Sequence, residues 1–114
     1  MKKLHKNQFE RNIKMVKHII VWTLKEEYSD AEKENIKKNI KEGLEGLKGK
    51  VPGIVEIKVE INGLASSNAD LMLDSTFENE DALKGYSTHP EHVKVATEKV
   101  RPFTKIRSCF DFEV

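Results

Sequence analysis

The sequence predicts an α+β domain: one four-stranded antiparallel sheet with helical segments packed on one face. Three observations carry this. A short apolar run stands at 16–24, and apolar residues alternate with period two at 54–61, 70–77 and 105–113. They recur at spacings of three and four between residues 36 and 47, which is a helical period. A second helical stretch, from about residue 80 to 100, is cut by Pro90. The order is therefore strand, helix, strand, strand, broken helix, strand.

The first strand, Val16 to Leu24, places His18, Ile20, Trp22 and Leu24 on one face and Lys17, Ile19, Val21 and Thr23 on the other. Both faces are largely apolar, so the strand belongs in the middle of the sheet, covered on both sides. Ser29 and Glu32 match the S-x-x-E capping pattern, which starts a helix at Asp30. Ile36, Ile40, Leu44 and Leu47 form its apolar stripe, among Lys and Glu side chains that read as solvated surface. Gly49 suits its C-terminal cap, and Val51-Pro52-Gly53 makes the following turn.

The second strand alternates Val55, Ile57, Val59 and Ile61 with Glu56, Lys58 and Glu60, the pattern of a charged sheet edge. Residues 62–68 form a loop. The third strand, Asp70 to Phe77, carries Leu71, Leu73, Ser75 and Phe77 on one side. Asn79 caps a short helix with Tyr86 near its end, and Pro90 opens the next in its first turn. That places His89 near an N-cap and His92 about three positions into the new helix. Lys105 to Glu113 is the last strand. The arrangement is the split βαβ, ferredoxin-like βαββαβ order.

A chain of 114 residues suits one domain. With 34% charged residues and no run near the roughly 18 apolar residues that span a bilayer, no membrane partner is expected. A net charge of +1 gives no electrostatic footprint for nucleic acid. The first 14 residues, MKKLHKNQFERNIK, carry five basic side chains and one acid, leaving the remainder net negative. They read as a flexible basic extension rather than a signal peptide, ahead of a folded domain at 15–114. The single Cys109 has no internal disulfide partner, and a reducing cytoplasm suits it.

Two helical segments cover only one side of four strands, yet the first strand is apolar on both. Exposing a Trp and its aliphatic neighbours costs several kcal/mol at about 25 cal/mol per Å². A second copy of the chain, sheet against sheet, removes that cost, so a homodimer with a cavity between its sheets is expected.

The stretches VKHIIVWTLK at 16–25, VPG at 51–53, DLMLDSTFENEDALKGYSTHPEHVKV at 70–95 and FDFE at 110–113 resemble the stress-responsive A/B barrel (Dabb) domain. The resemblance runs from Met15 to Val114, and the Y-x-x-H-P-x-H segment with the first-strand histidine is its most specific part. It implies a dimeric α+β barrel. It also implies a mixed functional repertoire: stress-associated proteins of undefined activity, and polyketide cyclases that close rings by aldol-type chemistry. In those cyclases the first-strand histidine, the motif tyrosine and the second motif histidine line or serve the pocket. By motif these are His18, Tyr86 and His92.

An imidazole in the first turn of a helix meets the positive end of the helix dipole, which disfavours its charged form. A neutral His92 near pH 7 suits a general base. Tyr86 would then orient substrate or donate to an enolate-like oxygen, with His18 assisting from the first strand. Ile20 and Trp22 are expected as apolar walls of the pocket, joined by Leu71, Leu73 and Ser75 of the third strand. If Ile106, Phe110 and Phe112 pack on the helices, Arg107 and Cys109 face the inter-sheet side. There Arg107 would attract an anionic ligand or pair with Asp111, and Cys109 reads as an inert thiol.

His89 and His92 make an H-x-x-H, but the proline keeps them off one regular helix face and no third ligand accompanies them, so neither metal nor other cofactor is expected. The expected function is binding, and acid–base transformation of lyase or cyclase type, of a small carbonyl-containing molecule. A non-catalytic stress or structural dimer is the alternative from another class. A monooxygenase of similar architecture is a third.

Overall fold

β1 (Val16–Leu24) runs through the middle of the sheet, as its two apolar parities require. In the computed structural model, which describes residues 14–114, β1 pairs antiparallel with β3 (Leu71–Phe77) and with β4 (Thr104–Glu113). β2 (Ile54–Glu60) pairs with the far side of β3, giving the order β2-β3-β1-β4. β2 and β4 therefore lie at opposite ends, each paired on one side only. This corrects the expected α+β barrel: the fold is ferredoxin-like, but its sheet is open and is not closed into a barrel. The basic extension expected at 1–14 falls, apart from Lys14, outside the described residues. Among those described, no helix is long and apolar enough to cross a membrane.

α1 (Asp30–Glu45) begins at the capping box read from the sequence. Glu32 N–H donates to Ser29 Oγ at 3.2 Å, and Ser29 N–H donates to Glu32 Oε1 at 2.8 Å. The α-helix stops at Glu45 and tightens into a 3₁₀ turn over Gly46–Gly49, a turn before the expected Gly49 cap. Ile36, Ile40, Leu44 and Leu47 are all buried on the sheet.

The charged stripe of α1 is more than solvated surface. Lys41 Nζ donates to the Val59 carbonyl at 2.8 Å, and Val59 N–H donates to Glu45 Oε2 at 2.9 Å. Lys37 Nζ reaches the Ile61 carbonyl at 3.1 Å. These side chains occupy backbone groups along the β2 edge that would otherwise offer a template for another strand. After α1, Gly53 turns the chain at φ 89°, and a Cβ there would come within 2.6 Å of Ala82 Cβ, so only glycine fits.

α2 (Glu80–Thr88) starts where Asn79 Oδ1 accepts from Ala82 N–H at 2.8 Å. α3 (Pro90–Val95) follows, and His89 joins the two. Its N–H donates to the Tyr86 carbonyl at 3.1 Å, closing α2, while its Nδ1 accepts from Glu91 N–H at 3.1 Å, opening α3. The chain then widens into a π turn at Ala96–Val100.

The helices cover the face that bears Val16, His18, Ile20, Trp22, Leu24, Leu71, Leu73, Ser75 and Phe77, all buried. The register of β4 contradicts the face assumed for it: Trp22 lies opposite Arg107, Ile20 opposite Cys109 and His18 opposite Asp111. Cross-strand partners share a face. Arg107, Cys109 and Asp111 thus point to the helix side, while Ile106, Phe110 and Phe112 point away and are 54%, 68% and 40% exposed. β2 also departs from simple alternation. Ile54 and Glu56 pair with the consecutive residues Phe77 and Thr76, so Val55 is the extra residue of a bulge and leaves the inward row of Ile57, Val59 and Ile61.

Candidate functional site

A cavity of about 330 Å³ lies between the sheet and the helices of a single chain, not between facing sheets as expected. β1 supplies His18, Ile20 and Trp22, β3 supplies Leu73, and α1 supplies Leu44. Tyr86 ends α2, His92 lies in the first turn of α3, and the π turn brings Ala96, Val100 and, just beyond it, Arg101. Thr104 and Arg107 complete the lining from β4. Single π turns in helices are frequent at functional sites; here the turn supplies two residues of the wall and leads directly to a third.

The three expected catalytic side chains converge. Tyr86 packs against His92 with ring centroids 4.2 Å apart, and against His18 at 6.1 Å. Phe77 backs the tyrosine at 4.8 Å. Of the other expected lining residues, Ile20, Trp22, Leu73 and Arg107 line the cavity. Leu71 and Ser75 are buried under the helices but do not line it, and Ser75 Oγ donates instead to the His18 carbonyl at 2.7 Å. Cys109 sits beside His18, with Sγ 3.9 Å from Nδ1, and is likewise not part of the lining.

The tautomers of both histidines follow from their partners. His18 Nδ1 and Asp111 Oδ1 are 2.5 Å apart; a carboxylate only accepts, so Nδ1 carries the proton. His92 Nδ1 lies 3.2 Å from the Ser87 carbonyl and donates to it. In each neutral ring this leaves Nε2 with a free lone pair. Burial, above all, lowers the pKa of His92, and the nearby His18, Arg101 and Arg107 lower it further. The helix dipole invoked from sequence is not needed for a neutral His92.

Tyr86 behaves differently. It is 1% exposed, and burial pushes its pKa well above the ordinary phenol value, so it remains a donor. Yet its hydroxyl has no partner. Among the described residues only Thr23 Oγ1 and Tyr86 OH are buried side-chain oxygens in that condition, and only the tyrosine lines the cavity. A buried hydroxyl without a partner costs on the order of 1–3 kcal/mol, which an oxygen-bearing guest in the cavity would recover.

Asp111 is the residue beside His18 that sequence reasoning missed. It had entered only as a partner for Arg107. Its place beside His18 depends on the β1–β4 register, which no local motif encodes. His18 Nδ1, Cys109 Sγ and Asp111 Oδ1 also lie within 4.8 Å of one another, a set able to ligate a metal. However, the 2.5 Å between nitrogen and oxygen is a hydrogen-bond separation. Two ligands about 2.0–2.1 Å from a tetrahedral zinc lie roughly 3.3 Å apart. The trio is built as a histidine–carboxylate pair with a thiol alongside. Partial burial, and then Asp111, push the Cys109 pKa up and keep it a thiol rather than a nucleophilic thiolate. His89 does not join His92 at the cavity; it lies in a separate surface recess with Val51, Pro52 and Gly53.

An open ferredoxin-like sheet with a histidine–tyrosine cavity beneath its helices defines the class. Residues 16–114 match the Stress responsive A/B Barrel Domain family, Dabb, and the chain belongs to that family. It is similar to a dimeric protein of unknown function and ferredoxin-like fold from Bacteroides fragilis, at 34% identity and a TM-score of 0.82, covering 88% of this chain and 96% of that one. A dimeric ferredoxin-like protein of unknown function from Thermobifida fusca shares the fold at 19% identity and a TM-score of 0.71, covering 89% and 92%. So does a hydroxynitrile lyase from Passiflora edulis, at 16% identity and a TM-score of 0.68, covering 90% and 94%. No curated protein matches the sequence.

Proposed function

We propose that the chain binds a small carbonyl-containing molecule in the cavity under its helices and moves a proton on it. The observation that carries this reading is the Tyr86 hydroxyl: buried, protonated and without a partner beside two imidazoles. Tyr86 donates to the carbonyl oxygen and holds the charge that develops there as an enolate forms. His92, neutral with its lone pair at Nε2, takes the α-proton. His18, fixed in its tautomer by Asp111, relays or returns it. The lyase with the same fold supports the reading only so far as it shows that this scaffold hosts an enzyme.

The apolar outer face of the sheet, centred on Ile106, Phe110 and Phe112, pairs with a second copy of the chain. The relative from Bacteroides fragilis, 34% identical, is described as dimeric, and the exposed aromatic pair Phe110–Phe112 gives such an interface its anchor. The lone Cys109 suits work in a reducing cytoplasm.

The test is exchange of the α-protons of phenylacetone in D₂O, followed by ¹H NMR. The wild-type chain accelerates exchange over buffer, His92→Gln loses the acceleration, and Tyr86→Phe loses about 10²-fold of it. Exchange at the buffer rate, with no binding seen by shift perturbation, would leave a non-catalytic dimer as the reading.

A further inference from the structure

The chemistry of the cavity wall carries a second conclusion, which rests on the cavity being a ligand site. Its titratable lining consists of His18, Tyr86, His92, Arg101 and Arg107, with no acidic residue among the lining side chains. This is notable in a chain that has 19 Asp and Glu against 20 Lys and Arg. Some lysines elsewhere are paired with acids, Lys17 with Asp74, Lys41 with Glu45 and Lys105 with Glu26. Among the described residues neither Arg101 nor Arg107 makes a salt bridge, although Asp111 stands on the same face of β4, four residues along from Arg107. Asp111 is turned instead to His18.

The two arginines come from different elements. Arg101 follows the π turn, where its N–H donates to the Ala96 carbonyl at 2.8 Å, and Arg107 projects from β4 opposite Trp22. Both are exposed as residues yet line the same cavity, so they stand at its mouth. Both also bear on His92, whose charged form they oppose. Behind them the wall is apolar: Ile20, Trp22, Leu44, Leu73, Ala96 and Val100. At about 330 Å³ the space is at the small end of ligand sites.

We infer that the ligand is a small carboxylate with an apolar body, its anionic end held at the mouth by Arg101 and Arg107 and its interior oxygen presented to Tyr86. Guanidinium forks match a carboxylate in two-point geometry, and the apolar wall behind them suits an apolar body. The arginines thus select and orient. The proton chemistry belongs to the groups behind them.

Trp22 is the sole tryptophan and lines the cavity, so its fluorescence reports occupancy directly. The full-length chain is titrated with cyclohexylacetate, with the isosteric cyclohexylacetamide, and with inorganic phosphate. The acid is expected to bind at least tenfold more tightly than the amide, with phosphate weaker than either. Arg107→Gln and Arg101→Gln, both surface changes, should each reduce that preference severalfold, and the double variant and 0.5 M NaCl should abolish it. Tyr86→Phe should leave the preference intact, because the difference between acid and amide is read at the mouth. Equal binding of acid and amide, or a preference that survives the double arginine variant, overturns the carboxylate assignment while leaving the cavity a ligand site. Phosphate binding as tightly as the acid overturns it in favour of a phosphate-bearing ligand. A titration in which neither organic probe perturbs Trp22, while phenylacetone also fails to bind, removes the cavity reading itself.

Discussion

Alternate residues of β1 meet opposite surroundings. Ile20 and Trp22 are 1% and 5% exposed beneath the helices, while Ile19 and Val21, one step away, lie on the bare side of the sheet beside Phe110 and Ser108. Their hydrophobicity does not separate them; what covers them does. The covered face holds a full core and a cavity with buried polar groups. The uncovered face carries an apolar row of Ile19, Val21, Phe110 and Phe112 beside two ion pairs, Lys17 with Asp74 at 2.9 Å and Lys58 with Glu60 at 3.2 Å. The lesson is that an apolar parity in a strand marks a surface to be covered without saying whether a helix or another chain covers it.

The sharpest way to separate the faces is by the quantity each one controls. Phe77 on the helix side has no exposed surface and backs Tyr86, so Phe77→Ala should cost about 3–5 kcal/mol of unfolding free energy, read by urea denaturation. Phe110 on the other side is 68% exposed within one chain, and Phe110→Asp should instead raise the dimer dissociation constant at least ~100-fold, near 2.7 kcal/mol. Sedimentation would show that shift. An unchanged association with a lost fold would mean that the outer face belongs to the core.

The third effect is smaller and depends on pH. His92 has a folded pKa below its unfolded value of about 6.5. The unfolded chain therefore binds the proton first as pH falls, so the His92 contribution is fully present above about pH 6.5 and is lost progressively below it. The urea midpoint should fall between pH 7 and pH 5, and His92→Gln should make that fall shallower. Smallest in energy, but most specific to the site, is the tautomer. Long-range ¹H–¹⁵N spectra at pH 8 should show Nδ1 protonated in both His18 and His92, and Asp111→Asn should disturb only His18.

Much of the fold was legible because local chemistry sets it. Ser29 with Glu32, Asn79, Pro90 and the period of Ile36, Ile40 and Leu44 each act within a few residues. The convergence of His18, Tyr86 and His92 came from the resemblance, and from the parity that puts His18 with Ile20 and Trp22. What escaped is set by long-range register. Ile106, Phe110 and Phe112 make the more apolar parity of β4, and an isolated reading turns such a row inward. Pairing Trp22 with Arg107 forces the reverse, and with it brings Asp111 to His18. The bulge at Val55 is similar, since one extra residue changes its face while the neighbouring alternation looks intact. The cavity's expected position came instead from the bare-face argument, which set a second sheet against the face of Ile20 and Trp22 that the helices in fact cover.

His89 both closes α2 and opens α3, and the consequence is best seen by imagining it absent. On an uninterrupted α-helix, residues six apart stand about 9 Å apart along the axis and roughly 240° apart around it, so their rings look away from each other. Tyr86 and His92 are six apart, and their ring centroids are 4.2 Å apart. The meeting of those rings is thus an act of punctuation. One residue with its backbone in the extended region, followed by a proline, folds a rod back into a corner, and the corner is where a proton can change hands.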